Sequence, residues 1–277
     1  MKVIINADDL GKSLEVNHAI ENCIKEELIT SSTIMAVGDA FDDAIRIAKS
    51  YPQISFGVHL TIDDGDMSLT KAPIFVKEGI TDSEGRFIRY GIKNVKKYSS
   101  ELKDAIYKEW TAQIQKVKSA GVSISHVDSH HHNHTILSLK DILIKVLRDN
   151  GINRVRLSQT KTPSMYWHRV FIVHPIKKQE SVVNKHRIKS YKESKLHVVL
   201  DILRRFVWTA EMKRNFKTTD YFCSYATFLK NKETLHFFFK NRILELMCHP
   251  GHPDYMEETE ELMKLPKEIL KINYCKL

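Results

Sequence analysis

Five imidazoles and a carboxylate fall within nine residues at His126-Val127-Asp128-Ser129-His130-His131-His132-Asn133-His134. Packing has no use for such a density of ring nitrogens, whereas a metal site does. A second group answers it near the N-terminus, where the apolar run Val3-Ile4-Ile5 gives way to Asn6-Ala7-Asp8-Asp9-Leu10-Gly11. One carboxylate and two imidazoles around a divalent ion leave positions for water and substrate, and the ion lowers the pKa of its water toward neutrality. An adjacent carboxylate then serves as general base, because consecutive residues in a turn need not share a direction. Taken alone, Asp8-Asp9-Leu10-Gly11 reads as a turn and helix cap, and His59 as a core histidine satisfied by backbone. The cluster at 126–134 moves both toward metal chemistry. Cys248 and His249 do not form a nucleophilic pair, since strand neighbours point to opposite faces. Ser129 is a small turn residue, because hydrolysis at a metal needs no serine nucleophile.

These residues require elements to carry them. The first 160 residues alternate short β-rich runs with helical patterns, the signature of βα units and a parallel sheet. Strands are expected at 3–6, 31–37, 54–60, 123–127, 154–157 and 243–248, with amphipathic helices at 13–27, 42–49, 99–120 and 137–149. A long loop-rich excursion occupies 61–91, and loops of that size are usually functional. In a β/α barrel the catalytic groups come from the C-terminal ends of different strands. Asp8, Asp9, His59, His130, Arg156 and His249 all fall at such ends.

Composition narrows the class. A chain of 277 residues and 32.2 kDa suits one barrel domain, which commonly takes roughly 200 to 250 residues. No apolar run approaches the ~18 residues of a membrane span, and no small-residue cleavage site follows Met1. Four scattered cysteines, Cys23, Cys223, Cys248 and Cys275, read as reduced thiols of a cytoplasmic protein. The net charge of +9 is uneven: residues 160–240 carry 17 Lys/Arg against 6 Asp/Glu, from totals of 43 and 34. That stretch reads as a solvated basic insertion with a helix at 194–214, and it adds phosphorylated saccharides to the substrates to consider.

The residues assembled in this way resemble the YdjC-like carbohydrate deacetylases. The resemblance spans most of the chain and rests on Asn6-Ala7-Asp8-Asp9-Leu10-Gly11, Thr30-Ser31-Ser32-Thr33, Gly57-Val58-His59-Leu60, the His126–His132 cluster, Thr218-Thr219-Asp220-Tyr221-Phe222 and Glu245-Leu246-Met247-Cys248-His249-Pro250-Gly251. These stand in the family's order and approximate spacing. The resemblance implies an α/β fold, a single (β/α) barrel over 1–277 related to the NodB-type polysaccharide deacetylases; the basic, mostly helical insertion at about 160–240 and the short C-terminus are particular to this chain. It implies hydrolysis of an acetyl group from a small N-acetylated saccharide of the diacetylchitobiose type. Asp9, His59 and His130 are the implied metal ligands, Asp8 the general base and His249 the acid that protonates the leaving amine. Magnesium is the ion usually assigned to the family, although two imidazoles suit zinc, cobalt or manganese at least as well.

His132 and Asp220 are expected substrate contacts. Arg156 is expected to orient Asp8 or hold a sugar oxygen, with a structural ion pair equally open. His126 is read as orienting neighbours rather than touching metal. Tyr166, Trp167 and Tyr221 are candidates for stacking on sugar rings or for packing. The chain departs from the family at Val37-Gly38 and at Leu157-Ser158-Gln159, positions expected to touch the sugar. Relatives of the family are often dimers, so a homodimer is open; the lack of a long apolar run argues against a membrane partner, and nucleic acid is not the expected partner. Two other readings stand beside it: a phosphoester hydrolase, which usually wants two metals, and a non-catalytic module binding carbohydrate or nucleic acid.

Overall fold

The computed structural model describes residues 2–158, 195–225, 228, 242–262 and 270–277. Its centre is a parallel sheet of β1 (Lys2–Leu10), β2 (Ser31–Ile34), β3 (Ser55–Leu60), β4 (Val127–Ser129), β5 (Tyr221–Ser224) and β6 (Ile243–Cys248). Their spatial order is β4-β3-β2-β1-β6-β5, and every neighbouring pair is parallel. A seventh strand, β7 (Leu270–Lys271), adds in parallel to the start of β1. Isolated parallel bridges Val127↔Val155 and Arg154↔Lys217 continue the pairing beyond β4 toward the segment that enters β5. Of the expected (β/α) barrel, the described residues form a curled six-strand parallel sheet, a half-barrel. Most of the expected 160–240 insertion, with Tyr166 and Trp167, lies outside the described residues.

Buried on both faces, β1 needs apolar residues, and Val3, Ile4, Ile5 and Ala7 supply them with no exposed surface. Helix α1 (Leu14–Lys25) starts where the Ser13 side chain accepts the Val16 N–H, and it buries Val16, Ile20, Cys23 and Ile24. Helix α2 (Phe41–Ser50) buries Phe41, Ala44, Ile45, Ile47 and Ala48. Helices α3 (Pro73–Lys77) and α4 (Gly91–Asn94) sit within and at the end of the long excursion after β3. Helix α5 (Ser100–Ser119) is capped by Ser99, and its stripe Leu102, Ile106, Trp110, Ile114 and Val117 is fully buried. Helix α6 (Lys140–Asp149), helix α7 (Lys195–Asn215) and helix α8 (Met256–Leu262) complete the helical layer. No described helix is long and apolar enough to cross a membrane.

The excursion is anchored by its buried apolar residues Ile62, Phe75, Ile80 and Phe87, which join the main core, and by buried polar groups of α5. Glu109 accepts hydrogen bonds from Ser68 Oγ (2.8 Å), Leu69 N (3.1 Å) and Thr70 N (2.9 Å). Gln113 brackets Thr61 by accepting from its N–H (2.8 Å) and donating to its carbonyl (2.6 Å). Both side chains are fully buried, so the loop that walls the site is fixed in place.

Several strands differ from expectation: the first runs over Lys2–Leu10 rather than 3–6, so Asp8 and Asp9 stand within it, and the second ends at Ile34 rather than at 37. The fourth runs over Val127–Ser129 instead of 123–127, because Asp128 and Ser129 are held by buried partners that outweigh their poor strand propensity. The expected strand 154–157 contributes only the two bridges. At Gly57 a close approach explains the residue: a Cβ there would lie 2.6 Å from His126 Cε1, and the His126 ring is stacked on Tyr274 at 3.6 Å. Gly57→Ala is therefore expected to destabilise the fold by about 1–3 kcal/mol, the usual range for overpacking. A lowered urea midpoint at unchanged m-value checks this, and an unshifted midpoint contradicts it.

Candidate metal centre

The site sits at the C-terminal ends of β1, β3, β4 and β6. A shift of register between Ala7 and Leu10 breaks the regular pairing of β1 with β2, and Asp9 takes a left-handed φ of 68°. This irregularity frees two consecutive carboxylates from strict alternation. Asp9 Oδ1 lies 2.9 Å from His130 Nδ1 and 3.3 Å from His59 Nε2. The donor atoms of Asp9, His59 and His130 all lie within 4.8 Å of one another, and all three residues are buried. The three ligands expected from the sequence are thus brought together.

Each imidazole has a second carboxylate behind it. Asp128 Oδ1 is 2.7 Å from His59 Nδ1, and Thr33 Oγ1 donates to Asp128 Oδ2 at 3.1 Å. Asp64 Oδ2 is 3.2 Å from His130 Nε2, and Lys12 and Arg89 lie 3.3 and 3.6 Å from the same carboxylate. A neutral imidazole has one lone pair and one N–H. A carboxylate that holds the N–H leaves the other nitrogen free to ligate, which is the usual support of a metal-bound histidine. The two other groupings that could hold an ion, Asp64-His130-His131 and Asp8-His59-Asp128, draw on these supporting carboxylates, so the Asp9 set fits a divalent ion best.

Electrostatics follow the same layout. Burial opposes charge on His59, yet Asp128 and Asp9 more than offset it and the ring is pushed up to about 10. Burial likewise opposes charge on Asp9, but His130 and His59 hold it well below the usual carboxylate range. Asp8 is buried as well, and Arg156 still lowers its pKa. Arg156 Nη1 and Nη2 donate to Asp8 Oδ2 and Oδ1 at 2.7 Å each. The same guanidinium lies 2.6 Å from Asp128 and from Glu245. Tyr274 donates to the other Glu245 oxygen.

The remaining expected residues divide. Asp8, His132 and His249 line a pocket of about 410 Å³ together with Asp9, His59 and His130. His249 has Glu258 Oε2 3.5 Å from Nδ1; burial opposes its charge, while Glu258, Asp8 and Asp9 raise its pKa. Arg156 has no exposed surface and is absent from the pocket wall, so of its two expected roles the geometry carries the grip on Asp8. Asp220 is corrected: its carboxylate accepts the Ile243 N–H at 2.9 Å, and Ile243 pairs with Lys2 at the N-terminal edge of the sheet. It closes the strand ends opposite the site. His126 stacks on Tyr274 and bonds Ser125 Oγ at 2.8 Å, away from the metal ligands.

Sequence reasoning missed Asp64, Glu258, Glu245 and Tyr274 as partners of the site, and it gave Asp128 no role. Asp63-Asp64-Gly65-Asp66 directly after β3 repeats the pattern of carboxylates past a strand end and offered a signal. Glu258 and Tyr274 offered none, because only folding brings them near.

Comparison with known proteins bears on this arrangement. A family model described as YdjC-like protein matches residues 2–270. The carbohydrate deacetylase of Brevibacillus brevis is 34% identical over 149 residues, 54% of this chain and 56% of that protein. The carbohydrate deacetylase of Vibrio campbellii is 34% identical over 167 residues, 58% of this chain and 63% of that one. The carbohydrate deacetylase of Listeria monocytogenes is 38% identical over 135 residues, 47% and 51% of the two chains. The chain therefore spans little more than half the length of the curated relatives it matches. A solved Enterococcus faecalis structure, a candidate cellobiose-phosphate cleavage protein, superposes with a TM-score of 0.63 at 20% identity, over 99% of this chain and 97% of that one. That likeness shows the fold.

Two predictions follow from the donor geometry. Because an ion must displace the proton that the carboxylates hold on His59, apparent metal affinity is expected to rise about tenfold per pH unit between pH 7 and 9. Titration calorimetry in buffers of different ionisation enthalpy should register at least one proton released per ion, and none would contradict the assignment. Asp128→Asn should weaken metal affinity about 10- to 100-fold, the usual effect of removing a carboxylate behind a ligating histidine; unaltered affinity in the same titration would remove Asp128 from that role.

Proposed function

The chain belongs to the YdjC-like family, and from that premise we propose that it is a metal-dependent hydrolase removing the acetyl group from an N-acetylated amino sugar or small oligosaccharide of the diacetylchitobiose type. The observation that carries the reading is the convergence of Asp9, His59 and His130, with Asp8 and His249 on the same pocket wall. Relatives named carbohydrate deacetylase support the same substrate class. Asp9, His59 and His130 would hold a divalent ion, which would supply Lewis acidity toward a water and the acetyl carbonyl. Magnesium is implied by the family, and the two imidazoles suit zinc, cobalt or manganese.

The chain's own groups then divide the proton transfers. Asp8 is held ionised and fixed in direction by the two-pronged contact from Arg156, so its carboxylate accepts the proton of the attacking water. His249 faces carboxylates that favour its cationic form and delivers a proton to the amine nitrogen as the C–N bond breaks. Acetate and a free amino sugar leave. Arg89 and Lys93 stand at the pocket wall, where a phosphorylated saccharide would find positive charge.

Acetate release from diacetylchitobiose, stopped by a chelator and restored by added divalent ion, is the expected result. Asp8→Asn should lower kcat about 10²- to 10⁴-fold, the range for a general base, with the ion content of the purified protein unchanged. Undiminished turnover in that variant would remove Asp8 as base, and release that persists after complete metal removal would refute metal dependence.

A further inference from the structure

We infer that the segment 270–277 governs the base from beneath: the Tyr274 hydroxyl fixes the Glu245 carboxylate, Glu245 fixes the Arg156 fork, and the fork aims Asp8. Tyr274 and Glu245 have no exposed surface and are absent from the pocket wall, so both are positioning residues. The inference rests on the deacetylase reading above only in taking Asp8 as the base.

The segment crosses the N-terminal ends of the curled sheet. Its strand β7 pairs with the start of β1, and the Ile272 N–H donates to the Val3 carbonyl at 2.9 Å. The Cys275 N–H donates to Ser55 Oγ at the start of β3 (3.3 Å). Arg154 donates to the Cys275 carbonyl (3.4 Å), and Lys217, ahead of β5, donates to the Leu277 carbonyl (3.0 Å). These ties hold Tyr274 inside the sheet, where its ring stacks on His126 at 3.6 Å and 9°.

Any flat ring would meet the stacking; the hydroxyl is what reaches the site. It donates to Glu245 Oε2, and Glu245 Oε1 accepts from Arg156 Nε at 2.6 Å. With both oxygens engaged, the carboxylate is held against turning. A guanidinium is a rigid planar fork, so a fixed Nε leaves its two Nη groups one direction, and Asp8 takes both at 2.7 Å. Arg156 already divides its donors among Asp8, Asp128 and Glu245, and Tyr274 supplies the donor that Oε2 would otherwise lack. Burial pushes the Glu245 carboxyl up to about 6 against the pull of Arg156 and of this hydroxyl. Loss of the hydroxyl therefore loosens the charged contact that steadies the fork.

The test pairs a readout of Arg156 with one of catalysis in wild type, Tyr274→Phe, Glu245→Gln and the double variant. Tyr274→Phe keeps the ring and removes only the hydroxyl. Exchange of the Arg156 Nε proton with water, followed by NMR of protein carrying isotope-labelled arginine, should be at least about tenfold faster in this variant, with exchange of the β1 backbone amides unaltered. Its kcat for diacetylchitobiose should fall about tenfold, the effect of one hydrogen bond to a charged group, with KM and ion content unchanged. A purely structural hydroxyl would instead lower the urea midpoint and leave kcat of the folded protein as in wild type. Glu245→Gln should act in the same direction, and it carries the test if Tyr274→Phe does not fold. The double variant should lose less than the product of the two single losses, because both act through one fork. Unaltered Nε exchange in both single variants overturns the link from Tyr274 to Arg156. Unaltered kcat where exchange has risen, or losses that multiply in the double variant, overturn the aim on Asp8. No acetate from wild type refutes the deacetylase reading itself, and the exchange readout then still decides the link from Tyr274 to Arg156.

Discussion

One buried guanidinium organises this molecule. Arg156, without exposed surface, holds Asp8, Asp128 and Glu245 at 2.6–2.7 Å, and through them it sets both the direction of Asp8 and the carboxylate behind His59. Burying these acids together is costly unless each is paired and hydrogen-bonded. Three buried carboxylates face this guanidinium and a fourth, Asp9, faces His59 and His130, so the local negative charge favours protons or a divalent ion at the two imidazoles. The same charge fits the grouping of Asp9, His59 and His130 to hold a cation.

Geometry at the strand ends serves that charge cluster. The broken register of β1 sends Asp8 toward Arg156 and Asp9 toward the imidazoles. Parallel strands put these groups on one rim because the C-terminal ends of a parallel sheet share a side. The fixed excursion after β3 adds Asp64 behind His130, and Glu258 of α8 holds the backbone N–H of His249 at 2.9 Å. Left-handed backbone at Asp9, His131 and His132 is concentrated at this rim, where stability yields to the placement of ligands.

Much of this was legible in the residues. The βα rhythm of the first 160 positions and the buried stripe of α5 followed from periodicity, which acts locally. The convergence of Asp9, His59 and His130 was readable because each stands just past an apolar run. What could not be read is non-local. Asp220, next to aromatic residues in a family motif, looked like a substrate contact, yet strand direction puts it at the opposite edge. Arg156 looked like a rim residue, and only its three carboxylate partners draw it beneath the pocket. Tyr274, 29 residues after Glu245, reaches it through tertiary packing that no local pattern encodes.

The central claim is that Asp9, His59 and His130 share one cation. Anomalous diffraction from manganese-loaded crystals tests it most directly. The account predicts one peak per chain within bonding distance of an Asp9 oxygen, His59 Nε2 and a ring nitrogen of His130, with Asp128 still on His59 Nδ1. A peak bound elsewhere, or none between these three side chains at saturating manganese, would contradict it.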